Sequence, residues 1–166
     1  MKIGFTCSTF DLFHAGHVTM LEEAKHHCQL LIVGLQTDPT VDRPNKNRPV
    51  QTVYERWVQL NACKWVDKII PYTTEAELVD ILNSQHIDIR FIGEEYRDID
   101  FTGKSLPIEI YYNSRQHSFS SSELRLRVFT AESIKRSLKD SPGQKPITAI
   151  DLPPGVSYHG SHTKVY

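Results

Sequence analysis

The sequence has few cysteines, no long apolar run and almost no net charge, and each of these shortages excludes a class of protein. Its three cysteines, Cys7, Cys28 and Cys63, are widely spaced and form no CxxC pair, which argues against a disulfide framework or a structural zinc site. No apolar run approaches the roughly 20 residues of a membrane span, and the N-terminal apolar stretch is too short for a signal peptide. A net charge of −1 gives no general attraction to nucleic acid or to an anionic membrane. We therefore expect a cytoplasmic protein that binds neither nucleic acid nor membrane.

Length and composition indicate one globular domain followed by a tail. At 166 residues the chain is long enough for one domain with a sizeable core and too short for two ordinary ones. Its hydrophobic fraction of 39% and charged fraction of 23% are typical of globular proteins. After about residue 138 the periodic apolar face ends and proline and glycine become frequent. We predict a domain over residues 1–138 and a flexible C-terminal tail over residues 139–166.

The apolar pattern alternates between strand and helix along the domain. Strands are predicted at Lys2 to Cys7, Leu30 to Leu35, Asp67 to Pro71, Asp88 to Gly93 and Ile108 to Tyr112. Helices are predicted at Gly16 to His27, Val53 to Lys64, Glu75 to Ser84 and Ser120 to Thr130. In the second helix, Val53, Trp57 and Leu60 are expected to face inward. This order predicts an α/β fold, a Rossmann-like doubly wound parallel sheet of about five strands with helices on both faces and ligands at the carboxyl ends of the strands.

The stretch TCSTFDLFHAGH, from Thr6 to His17, joins the first strand to the first helix. His14 and His17 flank Ala15-Gly16 at the start of this helix. Because a helix N-terminus carries partial positive charge and free amide donors, an anion placed there is stabilised by the backbone and by side chains that converge on it. Paired imidazoles at such a place suit a polyphosphate, whereas a single histidine there could simply cap the helix.

The string TFDLFHAGH, from Thr9 to His17, resembles the signature of the HxGH nucleotidylyltransferases, most closely the glycerol-3-phosphate cytidylyltransferase-like branch. The resemblance extends over about residues 1 to 130. This chain has Ser8 where the family usually has glycine. It also has Leu12 where the adenylyltransferases of coenzyme A and nicotinamide-nucleotide synthesis typically carry proline, which favours the cytidylyltransferase-like branch.

The resemblance implies a set of catalytic residues that stabilise charge and do not act as a strong base. These residues are His14, His17, Lys46 and Arg115. Lys46 matches a lysine of the family that lies in the loop after the second strand, and Arg48 is the rival candidate for this role. Arg115 adds a planar donor suited to phosphate oxygens.

Two further stretches resemble the family's nucleotide site. The sequence GEEY at Gly93 resembles the family's G-D-D-W, with glutamate in place of both aspartates. The sequence SRQHSFSSS, from Ser114 to Ser122, resembles R-T-x-G-I-S-T-T, with His117 and Ser118 in place of the usual Glu-Gly. The predicted nucleotide-binding residues are Thr9, Phe10, His14, His17, Gly93, Glu94, Arg115, Ser120 and Ser121.

The predicted acceptor-binding residues are Asp11, Lys46 and Arg56. Arg56 lies in a YER sequence that resembles the family's YExR helix, where it could order the site, contact substrate or form a surface ion pair. Family members that hold choline use a tryptophan after the third strand, where this chain has Tyr72-Thr73-Thr74. This difference counts against a choline-type acceptor, but a phosphorylated amino alcohol and capsule-precursor acceptors stay open beside glycerol 3-phosphate.

The resemblance thus implies a nucleotidyltransferase that moves CMP from CTP to a small phosphorylated acceptor, with glycerol 3-phosphate as the favoured acceptor and pyrophosphate as the second product. Mg²⁺ is expected to enter with the triphosphate, with no metal site built by the protein itself. Relatives are commonly dimers, so a homodimer is expected. Two alternatives are an adenylyltransferase that acts on a sugar phosphate and a nucleotide-binding regulatory protein that has lost activity.

Overall fold

A five-stranded parallel sheet is the centre of the computed structural model, which describes residues 1–114 and 119–140. Its strands are β1 (Ile3–Ser8), β2 (Leu30–Gln36), β3 (Lys68–Tyr72), β4 (Ile89–Gly93) and β5 (Glu109–Asn113). The helices are α1 (Ala15–His26), α2 (Val53–Asn61), α3 (Glu75–Ser84) and α4 (Ser121–Asp140), and a single 3₁₀ turn, Glu94–Tyr96, follows β4. The predicted α/β fold with a doubly wound parallel sheet is confirmed.

The order of the strands places a ligand site at the end of β1. Neighbouring strands run β3-β2-β1-β4-β5, and every pair is parallel. The chain therefore builds outward from β1 in one direction as far as β3 and then returns to the other side of β1 for β4. Ligands of open α/β sheets bind at such a reversal, outside the carboxyl ends of the strands.

The two faces of the sheet are covered by different helices. On one face, Leu21 and Ala24 of α1 and Leu60 of α2 pack in a buried cluster with residues of β2 and β4. On the other face, Leu78 and Leu82 of α3 pack in a second buried cluster. Because side chains alternate between faces along a strand, consecutive residues at the end of β1 contribute to opposite sides of the same edge.

The starts of α2 and α3 follow directly from their sequences. Each begins with a threonine that is followed three residues later by glutamate, the pattern of a capping box. The hydroxyl of Thr52 accepts from the amide of Glu55 at 3.2 Å, and the carboxylate of Glu55 accepts from the amide of Thr52 at 2.7 Å. Thr74 and Glu77 form the same reciprocal pair.

Two predicted helices differ from the observed ones. Helix α2 ends at Asn61. Leu60 is buried and Val53 packs against the core, as predicted, but Trp57 is 37% exposed, and Arg56, which is 1% exposed, faces inward in its place. Helix α4 continues to Asp140 and not only to Thr130, because residues 131–140 contain good helix formers and no proline or glycine.

The chain divides into two units, Met1–Leu126 and Arg127–Tyr166. The first unit contains the sheet and the start of α4. Of the second unit the structure describes residues 127–140, the remainder of α4. The predicted tail at residues 139–166 lies almost entirely outside the described residues. No helix within the described ranges is long and apolar enough to cross a membrane.

Candidate functional site

A cleft of about 1050 Å³ lies at the carboxyl edge of the sheet. It is lined by residues from the ends of all five strands and from the first turns of α1 and α4. The cleft brings together most of the residues predicted from the sequence. Those that line it are Thr9, Asp11, His14, His17, Lys46, Gly93, Ser120 and Ser121.

The two histidines cap α1 and face each other. His14 Nδ1 accepts from the amide of Gly16 at 3.1 Å, and His17 Nδ1 accepts from the amide of His14 at 3.3 Å. Their rings are stacked, with centroids 3.9 Å apart. Because Nδ1 is an acceptor in both rings, the ring proton of each lies on Nε2, which is then the hydrogen-bond donor. Capping and anion binding are therefore compatible roles: the cap fixes the orientation of each Nε2–H.

The loop between β1 and α1 holds two residues in the left-handed region. Phe10 has φ 49° and Leu12 has φ 51°. Residues other than glycine rarely adopt this backbone conformation, and the exceptions concentrate at functional sites. Phe10 is 0% exposed, and its ring centroid lies 5.3 Å from that of His17. Its predicted role in nucleotide binding is therefore corrected: the side chain belongs to the core and supports His17 from behind.

Asp11 connects the first loop to two other parts of the site. Its carboxylate accepts from the amides of Val50 at 3.0 Å and Gln51 at 2.9 Å and pairs with Arg125, while its carbonyl accepts from Ser121 Oγ at 3.0 Å. Burial opposes ionisation of Asp11, but the two amides and Arg125 outweigh it and hold its pKa below the usual value. Although Asp11 lines the cleft, its carboxylate is engaged within the protein. These contacts favour a positioning role for Asp11 over the predicted contact with the acceptor.

Arg56 has the second positioning role. It donates to five backbone carbonyls and is absent from the lining of the cleft. Burial lowers the pKa of this guanidinium, which Asp11 and Asp38 partly offset. Of the three roles predicted for Arg56, the structure supports ordering of the site. Each of its guanidinium nitrogens already donates to a backbone carbonyl, so none is left at the surface to bind the acceptor substrate. The five carbonyls belong to Thr9, Gln36, Thr37, Gln51 and Thr52.

The loop between β2 and α2 places Lys46 at the cleft and Arg48 away from it. Lys46 lines the cleft. Arg48 is 84% exposed at its side chain and pairs with Asp38 at 3.5 Å. This placement favours Lys46 over Arg48 as the loop cation that acts at the phosphates.

At the end of β4 the acidic residue that lines the cleft is Glu95, and the prediction of Glu94 is corrected. The 3₁₀ turn directs Glu94 outward, where its two oxygens accept from Arg97 at 2.7 and 2.9 Å. Glu95 lies against Gly93, where a Cβ atom would approach its carboxylate to 2.4 Å. A glycine at this position therefore leaves room for Glu95 beside the cleft.

The first turn of α4 completes this side of the cleft. Ser120 Oγ accepts from the amide of Glu123 at 3.1 Å, so Ser120 caps the helix. Ser121 Oγ donates to the carbonyl of Asp11, in the loop that leads to the two histidines. The N-termini of α1 and α4 therefore open into the same cleft. Arg115, predicted as catalytic and nucleotide-binding, lies outside the described residues.

Sequence reasoning missed two residues on this side. Arg125 pairs with Asp11, and its position four residues after Ser121 puts both on one face of α4, a signal that was available. Asn113, at the end of β5, pairs in register with Gly93 and is 4% exposed. Asn113 lines the cleft, and its buried Nδ2 has no hydrogen-bond partner among the described residues. A polar residue at the end of a predicted strand was the available signal.

The cleft thus has two parts on opposite faces of the sheet. The first, called the His lobe, is formed by His14, His17, Gly93, Asn113 and Ser120. The second, called the Arg90 lobe, is formed by Cys7, Tyr72, Glu75, Arg90 and Thr102. None of the latter was predicted as a site residue.

Polar contacts join the members of the Arg90 lobe. Arg90 Nη1 donates to the carbonyl of Thr102, whose hydroxyl donates to Glu75, and Glu75 pairs with Arg43 at 3.1 Å. Burial raises the pKa of Tyr72, and the neighbouring Cys7 and Glu75 raise it further, so its phenol stays neutral. This lobe can therefore offer both cationic and neutral donors to a ligand.

Comparison with known proteins assigns the family. The cytidylyltransferase-like family model matches residues 5–127. The chain belongs to this family, as the sequence motifs predicted.

Individual relatives agree with this assignment. The bifunctional protein HldE of Campylobacter jejuni (strain RM1221) is 34% identical over 126 residues, which cover 74% of this chain and 27% of that protein. The ethanolamine-phosphate cytidylyltransferase of Dictyostelium discoideum is 32% identical over 121 residues, 69% of this chain and 33% of that protein. The chain therefore spans about a third or less of the length of these relatives.

A solved structure shares the fold. The lipopolysaccharide core biosynthesis protein from Thermoplasma volcanium GSS1 superposes with a TM-score of 0.51 at 21% identity, covering 80% of this chain and 89% of that one. At this identity the likeness supports the fold alone.

Proposed function

We propose that this protein transfers CMP from CTP to a small phosphate ester and releases pyrophosphate. The observation that carries the proposal is the pair of capped imidazoles, His14 and His17, whose Nε2 donors share one cleft with the N-terminus of α4. Two helix N-termini and two fixed imidazoles are a suitable environment for a polyphosphate. Membership of the cytidylyltransferase-like family supports the same reaction.

The reaction needs positioned positive charge more than it needs a base. An oxygen of the acceptor's phosphate attacks the α-phosphorus of CTP and forms a new P–O–P bridge. The bond from that phosphorus to the oxygen of the β-phosphate breaks, and its electron pair leaves with pyrophosphate. Because the acceptor phosphate is already ionised at neutral pH, the protein's task is to stabilise charge on the α-phosphate oxygens and on the leaving group.

Each part of the His lobe has a role in this scheme. His14 and His17 donate to phosphate oxygens, and Lys46 brings a mobile positive charge between nucleotide and acceptor. Asn113 and the carboxylate of Glu95 face the nucleoside. Arg115 keeps its proposed role at the phosphates. The remaining nucleotide contacts are assigned to Thr9, Gly93, Ser120 and Ser121.

Mg²⁺ belongs to the proposal as a companion of the triphosphate. Within residues 1–114 and 119–140 no group of three or more His, Cys, Asp or Glu side chains is arranged to hold a metal ion. The ion would therefore take most of its ligands from phosphate oxygens and water, as Mg²⁺ commonly does. When bound, it neutralises charge on the leaving pyrophosphate.

The finer assignments rest on resemblance. CTP is proposed because the family is cytidylyltransferase-like and because a relative is named as an ethanolamine-phosphate cytidylyltransferase. Glycerol 3-phosphate, favoured by the sequence motifs, is the reference acceptor. A homodimer and a cytoplasmic location stay predictions.

The direct test is pyrophosphate release with each of the four nucleoside triphosphates, paired with a panel of small phosphate esters, with products identified by mass spectrometry. We expect turnover with CTP and a product that joins CMP to the acceptor. A clear preference for ATP would replace the proposed base. Binding of CTP without turnover on any acceptor would support the regulatory alternative.

A further inference from the structure

Arg90 is a buried cation in the wall of the cleft. It lies on β4 beside Phe5 of β1, on the face that α3 covers, and is 3% exposed. Its Nη1 donates to the carbonyl of Thr102, its Nη2 lies 3.9 Å from Cys7 Sγ, and the group stands 5.3 Å from the ring centroid of Phe101. Its Nε has no hydrogen-bond partner among the described residues.

No carboxylate in the described part of the chain forms an ion pair with Arg90. The acidic residue of the same lobe, Glu75, is already engaged by Arg43 and by the hydroxyl of Thr102. A buried charge without a counter-ion is costly, and a buried donor without an acceptor adds to that cost. The guanidinium of Arg90 therefore has the surroundings of a group that pairs with an anion from outside the described part of the chain.

The loop after β4 holds this group in place. Gly103 has φ 77°, and a Cβ atom there would lie 2.7 Å from Leu82 Cδ1 and 2.9 Å from Arg90 Nη1. Close packing of this kind leaves the guanidinium little room to turn away. Arg90 lines the cleft with its guanidinium held in this way, and a planar donor of this kind matches carboxylate or phosphate oxygens.

The position of Arg90 separates it from the triphosphate. Thr6 contacts Met20 of α1 and the carbonyl of Phe91 on one face of the sheet, whereas Cys7 contacts Arg90 on the other. The His lobe and the Arg90 lobe therefore meet at the end of β1. If the acceptor's phosphate attacks the α-phosphorus there, the rest of the acceptor extends into the Arg90 lobe.

We infer that Arg90 binds a second anionic group of the acceptor, so the acceptor is a phosphate ester that also carries a carboxylate or a second phosphate. This inference rests on the proposed function and names its substrate class. A donor-rich lobe with an unpaired guanidinium disfavours acceptors with a cationic end, such as phosphoethanolamine. It also favours an acidic ester over glycerol 3-phosphate, whose far end is neutral.

The experiment compares matched pairs of probes by calorimetric titration against protein saturated with a non-reactive methylene analogue of CTP. In the first pair, 3-phosphoglycerate differs from glycerol 3-phosphate by a carboxylate in place of a hydroxymethyl group. In the second pair, fructose 1,6-bisphosphate differs from fructose 6-phosphate by a second phosphate. We expect the more acidic member of one pair to bind about tenfold more tightly, as hydrogen bonds to charged groups contribute. The pair that responds identifies the second anion.

The variants assign this preference to Arg90. In Arg90→Gln the ratio of affinities should fall close to one, and Arg90→Lys should retain part of it. The control is Lys68→Gln, which removes the same charge from an exposed residue that contacts Gln85 away from the cleft and should leave the ratio unchanged. An unchanged ratio in a folded Arg90→Gln protein would overturn the inference.

The wild-type protein alone also decides the question, so the test does not depend on folding of the variants. Equal affinity within both pairs would overturn the inference. Failure here is distinguishable from failure of the proposed function, because binding of the CTP analogue and pyrophosphate release with glycerol 3-phosphate are measured separately. Turnover without a preference for the acidic probes would leave the proposed function standing and remove only the role of Arg90.

Discussion

Arg56 and Arg90 are both almost fully buried near the cleft, yet their guanidinium groups have opposite surroundings. Arg56 donates to five carbonyls of three different chain segments and has every nitrogen engaged. Arg90 has one carbonyl partner, a distant sulfur and an unpartnered Nε. Arg56 therefore has a structural role, because all of its hydrogen bonds are made to groups of the protein. Arg90 has the surroundings of a ligand-binding group, because part of its hydrogen-bonding capacity is not used by the described residues.

The largest effect on stability is expected for Arg56→Met. The substitution leaves the carbonyls of Thr9, Gln36 and Thr37 buried without their donor, so the free energy of unfolding should fall by about 3 kcal/mol or more. Urea denaturation measures it. The control, Arg48→Met, removes an exposed arginine and should change stability by less than about 1 kcal/mol. Equal losses of unfolding free energy in the two variants would show that Arg56 does not have the structural role we describe.

The next effect concerns turnover. His14→Ala should lower turnover by about a hundredfold, the effect of losing one preorganised donor to the transition state. It should also cost about 1 kcal/mol of stability, because His14 caps α1. His14→Asn separates the two roles, since asparagine is a good N-cap but has no equivalent of Nε2–H. Restored stability with turnover still low is expected; restored turnover would reduce His14 to a cap.

A smaller effect is expected for Asp11→Asn, which should lower the free energy of unfolding by about 2 kcal/mol near neutral pH. The pKa of Asp11 is lowered in the folded protein, so its contribution to stability is complete above the unfolded value of about 4 and is lost as the pH falls through the folded value. The difference in unfolding free energy between wild type and Asp11→Asn should therefore shrink as the pH is lowered below about 4. A difference that stays constant from neutral to acidic pH would contradict the ion pair with Arg125.

The smallest effect is expected for Arg90→Met. Replacing an uncompensated buried charge by an apolar side chain of similar length should leave the free energy of unfolding within about 1 kcal/mol of wild type, or raise it. Thermal and urea denaturation of this variant beside Arg56→Met measures the contrast between the two arginines. A loss as large as that of Arg56→Met would make Arg90 a structural residue and erase the comparison.

The sequence predicted the sheet strands and the loop of the two histidines well because each depends on contiguous residues. The string from Thr9 to His17 carries its own turn, helix caps and imidazoles, so local order alone brings these parts together. Strand β2 is apolar on both faces, which a parallel inner strand requires. The start of α4 was located by its serines, although its end was not, because no stop signal follows Thr130 until Pro142.

The positioning residues and the Arg90 lobe were not predictable in the same way. Periodicity placed Trp57 inward, but five carbonyls that converge from three segments draw Arg56 to that side of α2, and this convergence exists only in the folded chain. The Arg90 lobe is assembled from β1, β3, the start of α3, β4 and the loop that contains Thr102. One signal was present: Arg90 is the single charged residue inside the otherwise apolar strand IRFIG.

The most direct test of the central claim follows oxygen through the reaction. The acceptor's phosphate is labelled with heavy oxygen, and CTP is left unlabelled. If the acceptor oxygen attacks the α-phosphorus in this cleft, all of the label appears in the product that joins CMP to the acceptor, and the pyrophosphate is unlabelled. Label in pyrophosphate, or free CMP in place of the joined product, would contradict the account.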